Sequence, residues 1–323
     1  MPVPAARPRA QLDVHHRGVR PDPGQHRVGV AYVPGELGEL RHRIVAGLGR
    51  TILLGHHGYH GNVDHMTEPS PDLEGVRALV TGGTSGLGFA MSQALAEAGA
   101  RVVLTGRTGP RVQDAAARIA CGATGLVMDV RDEQAVSAGV DHALSVLGGI
   151  DVLVNNAGIG MRTVNPRFMT EPMGFWQVSP DGFRDLLTTN VVGYFLVARA
   201  VVPRMLEVAG RGKIVNISVS EATTRRRGFT PYGPSRAATD SLSRIMAADL
   251  AGTGIDVNLL LPGGATRTGM APDSVPRDSQ VTWLDPAIMG PPVVWLASRA
   301  SDGVTDQRIV ATEFADRQDQ ASR

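Results

Sequence analysis

Several features that define large classes of proteins are scarce in this chain of 323 residues. The single cysteine, Cys121, excludes a framework of intrachain disulfides and is typical of a reducing compartment, so we expect a cytoplasmic protein. The formal net charge is only +1, which argues against nucleic acid as a partner. No continuous apolar run approaches the roughly 18 residues of a membrane-spanning helix, so we expect no membrane partner either.

Residues 1–65 lack the regular patterns of the rest of the chain, apart from one helical periodicity over residues 37–48. They hold eight of the nine histidines. The tract 56–60 contains three of these and could bind a metal, but its surroundings fit a disordered or non-native extension better. We predict that Met66 is the native start or that residues 1–65 are dispensable. We predict no metal ion in the functional site.

The most informative stretch is residues 76–98. Residues 77–81 have the composition of a strand that is covered on both faces, and from Leu87 onward apolar residues recur at helical spacing. A strand that enters a helix through a glycine turn presents free backbone N–H groups at the start of the helix. Such a site suits the pyrophosphate of a dinucleotide, whereas a tight turn without a ligand is the alternative.

From residue 73 onward, apolar strand patterns alternate with helical patterns. The predicted strands are 78–81, 101–105, 125–129, 151–155, 213–218, 256–261 and 308–311, and the predicted helices are 88–98, 109–120, 132–147, 181–209, 232–252 and 285–300. This alternation predicts an α/β fold with a doubly wound parallel sheet of about seven strands, a Rossmann fold. We place this single domain at residues 73–314 and a polar tail at 315–323.

Four motifs follow one another along this domain. They are T-G-x-x-x-G-x-G at 81–88, N-N-A-G at 155–158, Y-x-x-x-(basic) at 232–236 and P-G at 262–263. In this order and spacing they resemble the short-chain dehydrogenase/reductase family over residues 73–314. The resemblance implies an oxidoreductase that transfers a hydride between a nicotinamide cofactor and a ketone or secondary alcohol. It also implies a homodimer or homotetramer.

The resemblance places the cofactor at the ends of several strands. The implied binding residues are Gly82, Thr84, Ser85, Gly86, Leu87, Gly88, Asp129, Val130, Asn156, Ala157, Gly158, Tyr232, Arg236, Pro262, Gly263 and Thr268. An NAD site carries an acidic residue after the second strand, but this chain has Arg107 there, which could pair with a 2′-phosphate. We therefore predict NADP(H) rather than NAD, with a solvated Arg107 as the alternative.

The implied acid and base is Tyr232, since a phenol beside a positive charge can exchange a proton with the substrate oxygen. The family carries a lysine four residues later, where this chain has Arg236. Arginine keeps the charge but cannot relay protons as lysine can. Because Lys213 is the only lysine in the chain, one account of Arg236 is compositional drift with retained activity. The other account is a nucleotide-binding pseudoenzyme that acts as a binding or sensor protein.

The family also carries a catalytic serine 13 residues before the tyrosine, a position that Val219 occupies here. Ser218 and Ser220 flank it, and a loop shorter by one residue would bring Ser220 into place. We therefore prefer Ser220 and place Ser218 second. Asn190, in the predicted helix 181–209, matches the family asparagine that bends this helix and holds a water near the lysine.

Two loops are candidates for contact with the substrate. Residues 225–227 are three arginines, which form either a solvated loop or a site for an acidic group of the substrate. Segment 159–178 is rich in methionine and aromatic residues, which would either line an apolar pocket or cover the sheet. Its candidates are Met161, Met169, Met173, Phe175 and Trp176.

Near the carboxyl terminus, Asp306 stands where the family has glycine, and we expect a positive φ there.

Overall fold

A computed structural model describes residues 72–208, 211–275 and 280–321 of the chain. The predictions about residues 1–65, including the histidine tract, lie outside the described residues and stay predictions. Within the described ranges, no three histidine, cysteine or acidic side chains come together as a group that could hold a metal ion.

Seven strands form one parallel sheet within the described residues. They are β1 (Arg77–Val80), β2 (Arg101–Gly106), β3 (Thr124–Val127), β4 (Val152–Asn155), β5 (Gly212–Ile217), β6 (Ile255–Leu261) and β7 (Arg308–Val310). Their order across the sheet is β3-β2-β1-β4-β5-β6-β7. β4 and β6 are buried along their whole length, because helices cover both faces of the sheet. The predicted doubly wound fold is confirmed.

Helices connect the strands on both sides. Those in the described residues are α1 (Gly86–Glu97), α2 (Gly109–Arg118), α3 (Glu133–Leu147), α4 (Pro180–Leu187), α5 (Gly193–Glu207), α6 (Glu221–Thr224), α7 (Tyr232–Asp249), α8 (Gly290–Ala297) and α9 (Phe314–Ala321). One core cluster joins α1, α2 and α8 to the sheet, and a second joins α3, α5 and α7 to its opposite face. The strand order reverses between β1 and β4, which leaves a crevice at their carboxyl ends.

A π-helical turn, Thr188–Val192, joins α4 to α5 in one helical stretch, Pro180–Glu207. By length and composition this stretch could cross a membrane, since its most apolar window of 18 residues has a mean hydropathy of 1.5, although we expected no such run. Its apolar residues serve the fold, since Val197, Val201 and Met205 are buried in the core on the sheet. Length and composition alone are therefore weak grounds for a membrane span.

The buried face of α7 is made of small and polar residues rather than large apolar ones. Its buried residues are Gly233, Ser235, Arg236, Thr239, Ser243 and Ala247. Each of the three hydroxyls donates to a backbone carbonyl one helical turn earlier, so none is left without a partner. The apolar Ile245 on the same helix is 54% exposed.

Helix α9 begins at Phe314, which is buried, and continues into the predicted polar tail. The polar tail stays a prediction. Asp306 has a φ of 54°, the positive value that we expected where the family has glycine. Aspartate tolerates this conformation better than most residues.

Candidate active site

A cavity of about 1110 Å³ opens at the carboxyl ends of the strands, where the strand order reverses. Its wall is built from the segments that follow β1 to β6. The predicted site residues in this wall are Gly82, Thr84, Ser85, Gly86, Leu87, Gly88, Arg107, Asp129, Val130, Asn156, Ala157, Gly158, Ser218, Ser220, Tyr232, Arg236, Pro262, Gly263 and Thr268. Asn190 is the predicted residue that does not line it. Parallel strands thus bring residues from distant parts of the sequence to one crevice.

The glycine turn after β1 is pressed against the end of β4. Gly82 has a φ of 66°, and a Cβ atom there would lie 2.7 Å from the Cα of Ala157. Only glycine fits such a position without strain. The Asn156 side-chain amide donates to the carbonyl oxygens of Thr81 and Gly82, at 2.9 and 3.1 Å. The turn therefore has a defined shape before any ligand binds.

Helix α1 leaves its first backbone N–H groups without a side-chain cap. Ser85 is the N-cap residue, but its side chain accepts no hydrogen bond, and the first turn contains no acidic residue. Gly86, Leu87 and Gly88 face the cavity. Free N–H groups and the positive end of the helix dipole together favour an anion. These residues fit the pyrophosphate of a dinucleotide cofactor.

Arginines gather where β2 and β3 reach the cavity. Arg131 donates to both carboxylate oxygens of Asp129 and forms a 2.7 Å ion pair with it. This hydrogen bonding from Arg131 holds the pKa of Asp129 below its usual value, and the charge of Arg107 adds to the effect. Arg107 and Arg111 line the same end and have no ion pair or side-chain hydrogen bond within the described residues. This end fits an additional phosphate group.

Arg236 is only 3% exposed and lies between two tyrosines. Its Nη1 donates to the Tyr194 hydroxyl at 3.1 Å and to the Ile217 carbonyl at 2.9 Å. Its guanidinium carbon lies 5.3 Å from the ring centre of Tyr232. Burial acts to lower the pKa of Arg236, but the charge interactions and hydrogen bonds with Tyr194 and Tyr232 outweigh it and raise the pKa. Arg236 is therefore a permanent positive charge beside Tyr232.

Gly158 provides the space that this guanidinium occupies. A Cβ atom at Gly158 would lie 2.7 Å from Nη2 of Arg236. The Nε of Arg236 is buried without a hydrogen-bond partner within the described residues. The glycine at the end of the N-N-A-G motif thus serves packing as well as access to the cavity.

Tyr194 is a residue of this centre that sequence reasoning missed. It is fully buried, and its hydroxyl donates to the Ile217 carbonyl at 3.2 Å while it accepts from Arg236. Burial raises the pKa of Tyr194, and the charge of Arg236 acts against that rise. An aromatic residue in an apolar helix is typical of a core position, so no signal in the sequence distinguished Tyr194.

The two candidate serines lie at the end of β5 with different partners. Ser218 is 2% exposed and donates its hydroxyl to the Asp240 carboxylate. Ser220 is exposed, caps the short helix α6, and its hydroxyl lies 2.9 Å from that of Thr223. Ser220 thus offers the more accessible hydroxyl to the cavity.

Asn190 lies in the π-helical turn and is fully buried. Its Oδ1 accepts from the Ile159 N–H at 2.9 Å, and its Nδ2 donates to the Ile159 carbonyl at 3.0 Å and to the Ser235 hydroxyl at 3.1 Å. The amide therefore ties the segment after β4 to α7. Asn190 stands behind the cavity wall and can act on the site only through these neighbours.

Aromatic side chains border the cavity beyond Tyr232. Phe229 packs edge-on between Phe168 and Tyr232, with ring centres 5.4 and 6.4 Å away. Met169 lines the cavity, and Met161 is buried in the cluster behind these rings. Phe175 and Trp176 are 71% and 77% exposed and lie outside the wall. Segment 159–178 is therefore partly a pocket wall, partly core and partly surface.

A sequence comparison identifies the family to which this fold belongs. The profile of the family described as short chain dehydrogenase matches residues 77–278. The chain belongs to the short-chain dehydrogenase family. It is therefore a hydride-transferring oxidoreductase of a family that binds nicotinamide cofactors.

Relatives and solved structures of this dehydrogenase family cover most of the same region. The chain is 36% identical to the gluconate 5-dehydrogenase of Gluconobacter oxydans, over 73% of this chain and 92% of the relative. It is 31% identical to the 5-keto-D-gluconate 5-reductase of Escherichia coli, over 72% and 92%. A solved gluconate 5-dehydrogenase from Burkholderia cenocepacia, in complex with NADP and tartrate, is 31% identical with a TM-score of 0.64, over 74% and 94%.

Proposed function

We propose that this dehydrogenase uses NADP(H) to interconvert a ketone and a secondary alcohol, with Tyr232 as the acid and base. The observation that carries the proposal is the pairing of Tyr232 with the buried cation Arg236 in the wall of a cavity that also holds the uncapped start of α1. In the proposal, Arg236 takes the place of the family lysine.

The cofactor would lie along the carboxyl ends of β1 to β6. The free N–H groups of α1 bind its pyrophosphate, and Arg107 with Arg111 binds the 2′-phosphate, since neither arginine has an ion pair or a side-chain hydrogen bond within the described residues. Asn156, Ala157 and Gly158 border its ribose, Thr268 holds its carboxamide, and Asp129 and Val130 border its adenine. When bound, the cofactor supplies or accepts the hydride at its nicotinamide ring.

Tyr232 moves the proton that accompanies the hydride. In the reducing direction its hydroxyl donates a proton to the substrate oxygen, and in the oxidising direction it takes that proton back. The positive charge of Arg236 stabilises the phenolate that remains after donation. Because Arg236 stays protonated, it holds charge without relaying the proton. The proton is replaced from solvent through the cavity.

A second hydroxyl orients the substrate oxygen. We assign this role to Ser220, because its hydroxyl is accessible from the cavity, whereas Ser218 is buried and donates to Asp240. Ser218 remains the second choice. Asn190 acts as a positioning residue, since its side chain forms hydrogen bonds with Ile159 and Ser235 next to the cavity wall.

Two further properties stay predictions. Phe195, Leu206 and Ile245 are exposed apolar residues on α5 and α7, which supports assembly as a homodimer or homotetramer. A cytoplasmic location is supported by the single cysteine. The comparisons offer no support for the pseudoenzyme alternative.

The first test is a titration of the full chain with NADPH and with NADH, followed by nicotinamide fluorescence. We expect NADPH to bind at least about tenfold more tightly, because a 2′-phosphate pairs with free guanidinium groups. Arg107→Ala should remove this preference and leave NADH binding unchanged. Equal affinities in the unmodified protein would overturn the choice of NADP(H).

The relatives make 5-keto-D-gluconate the first substrate to test with bound NADPH.

A further inference from the structure

The cavity wall is much more basic than the chain as a whole. Lysine plus arginine and aspartate plus glutamate are nearly balanced over the chain, at 32 and 31. The wall contains one acidic residue, Asp129, among the described residues. Its arginines are Arg107, Arg111, Arg131, Arg162, Arg226 and Arg236. A wall with this imbalance favours anionic ligands.

The proposed cofactor accounts for part of this charge. Arg107 and Arg111 face its 2′-phosphate in the proposal, and Arg131 is already paired with Asp129. Arg236 is buried beside Tyr232. The remaining two, Arg162 and Arg226, lie in the segments after β4 and β5, on the side of the cavity that carries the aromatic cluster.

Arg162 and Arg226 differ in their partners. Arg162 forms a 2.6 Å ion pair with Asp273 and donates to the Gly269 carbonyl. Arg226 has neither an ion pair nor a side-chain hydrogen bond within the described residues, whereas the neighbouring Arg225 pairs with Glu221 at 2.8 Å. Of these two arginines, Arg226 is therefore the one that has no ion pair within the part of the chain that the structure describes.

The guanidinium of Arg226 is held in place by an aromatic ring. Its central carbon lies 4.8 Å from the ring centre of Phe229, and the same ring packs against Tyr232. Stacking on a ring face occupies the flat side of a guanidinium and leaves its N–H edge free. Such an edge binds a carboxylate through two parallel hydrogen bonds.

We propose that Arg226 binds a carboxylate of the substrate, so that the substrate class is a keto acid and its hydroxy acid. This inference rests on the proposed function, because it places the reacting carbonyl at Tyr232. Phe229 separates the two groups, so the carboxylate is several bonds away from the carbonyl carbon. In this proposal, Phe168 and Met169 contact the part of the substrate that links its carboxylate to its carbonyl carbon.

A set of paired probes tests this proposal. They are 4-oxopentanoate, 5-oxohexanoate and 6-oxoheptanoate, each with its uncharged primary amide. Binding to the full chain saturated with NADPH is measured by nicotinamide fluorescence, and turnover by NADPH oxidation. We expect at least one acid to bind at least about tenfold more tightly than its amide, with an advantage that weakens as salt is added.

Variants of the arginine triplet assign the effect to one residue. Arg226→Ala should lower the affinity for that acid at least about tenfold and change the affinity for its amide less than about twofold. Arg226→Lys should retain part of the preference, because it keeps the charge without the planar edge. Arg227→Ala is the matched control, since Arg227 is exposed in the same loop but outside the cavity wall.

The outcomes separate this inference from the proposed function. If NADPH fails to bind, the proposed function has failed and the inference fails with it. If NADPH binds but every acid binds no better than its amide, or no acid binds, only the carboxylate inference is overturned. The same holds if the preference for the acid survives in Arg226→Ala.

Discussion

The two ends of the cavity are built from different chemical groups. At the glycine turn, Gly82 and the uncapped start of α1 present backbone groups, and the site depends on the absence of side chains. At α7, Tyr232, Arg236 and Tyr194 present side chains that are packed and hydrogen-bonded to one another. Both ends join distant parts of the chain, since Asn156 bonds Thr81 from 75 positions away and Arg236 bonds Tyr194 from 42 positions away.

Because the two ends of the cavity are built differently, they should respond differently to amino-acid substitutions. A side chain added at Gly82 would disturb the backbone site, because its Cβ would meet the main chain of Ala157, just after β4. A buried cation is destabilised when its hydrogen-bond acceptors are removed, because a buried donor without a partner costs more than a lost surface contact. Substitutions at the two ends should therefore produce different patterns of affinity, rate and stability.

The largest effect is expected from Tyr232→Phe, which removes one hydroxyl and keeps the aromatic ring against Phe229. Because the proposed acid and base is then missing, the rate of substrate-dependent NADPH oxidation should fall about 10³-fold. The Kd for NADPH should stay within about twofold. Steady-state kinetics and a fluorescence titration check both. A rate close to that of the unmodified enzyme would remove Tyr232 from the chemistry.

Gly82→Ala tests the glycine turn, where the proposed cofactor site depends on backbone groups. The new Cβ meets Ala157 at a residue whose φ is 66°, so we expect a loss of about 2 kcal/mol in the free energy of unfolding, together with weaker NADPH binding. Urea unfolding and the fluorescence titration measure the two effects.

Gly122→Ala is the matched control for that substitution. Gly122 also has a positive φ, of 84°, but no atom lies within 4 Å of its added Cβ. It should lose only about 1 kcal/mol from backbone strain and bind NADPH normally. Equal losses of NADPH affinity in both variants would show that strain, and not the contact with β4, disturbs the site.

Tyr194→Phe tests the side-chain contacts at α7 at a residue that does not itself line the cavity. Removal of the hydroxyl takes away the hydrogen bonds to Arg236 and Ile217, which should lower the free energy of unfolding by about 1 to 2 kcal/mol. In a double-mutant cycle with Arg236→Lys, we expect a coupling of about 1 kcal/mol. Urea unfolding of the four proteins measures it, and additive losses would contradict the pairing.

Asp129→Asn should have the smallest effect, and one that depends on pH. Hydrogen bonds from Arg131 lower the pKa of Asp129 in the folded protein, so the folded state binds a proton less readily than the unfolded chain. The stabilisation, about 0.5 kcal/mol for such a half-exposed pair, is complete above the ordinary aspartate pKa. It is lost as the pH falls through the lower, folded value. Urea unfolding at pH 7 should separate the two proteins, and the gap should close in more acidic buffer.

Sequence alone predicted the parts of this protein that depend on neighbouring residues. Strand and helix periodicity and the glycine turn follow from local steric and hydrogen-bonding rules, whereas the positive φ of Asp306 was expected from the resemblance to the family. The crevice at the carboxyl ends also followed, because parallel strands with helical crossovers leave a ligand site there.

Only the tertiary structure decided which side chains share partners. Tyr194 meets Arg236, Asp240 receives the hydroxyl of Ser218, and Asn190 turns behind the wall toward Ile159. Three adjacent arginines are alike in sequence, yet Arg225 pairs with Glu221 and Arg226 stacks on Phe229 at the cavity. The physical reason is that local rules act over a few residues, whereas buried polar groups find their partners across strand ends that the fold alone brings together.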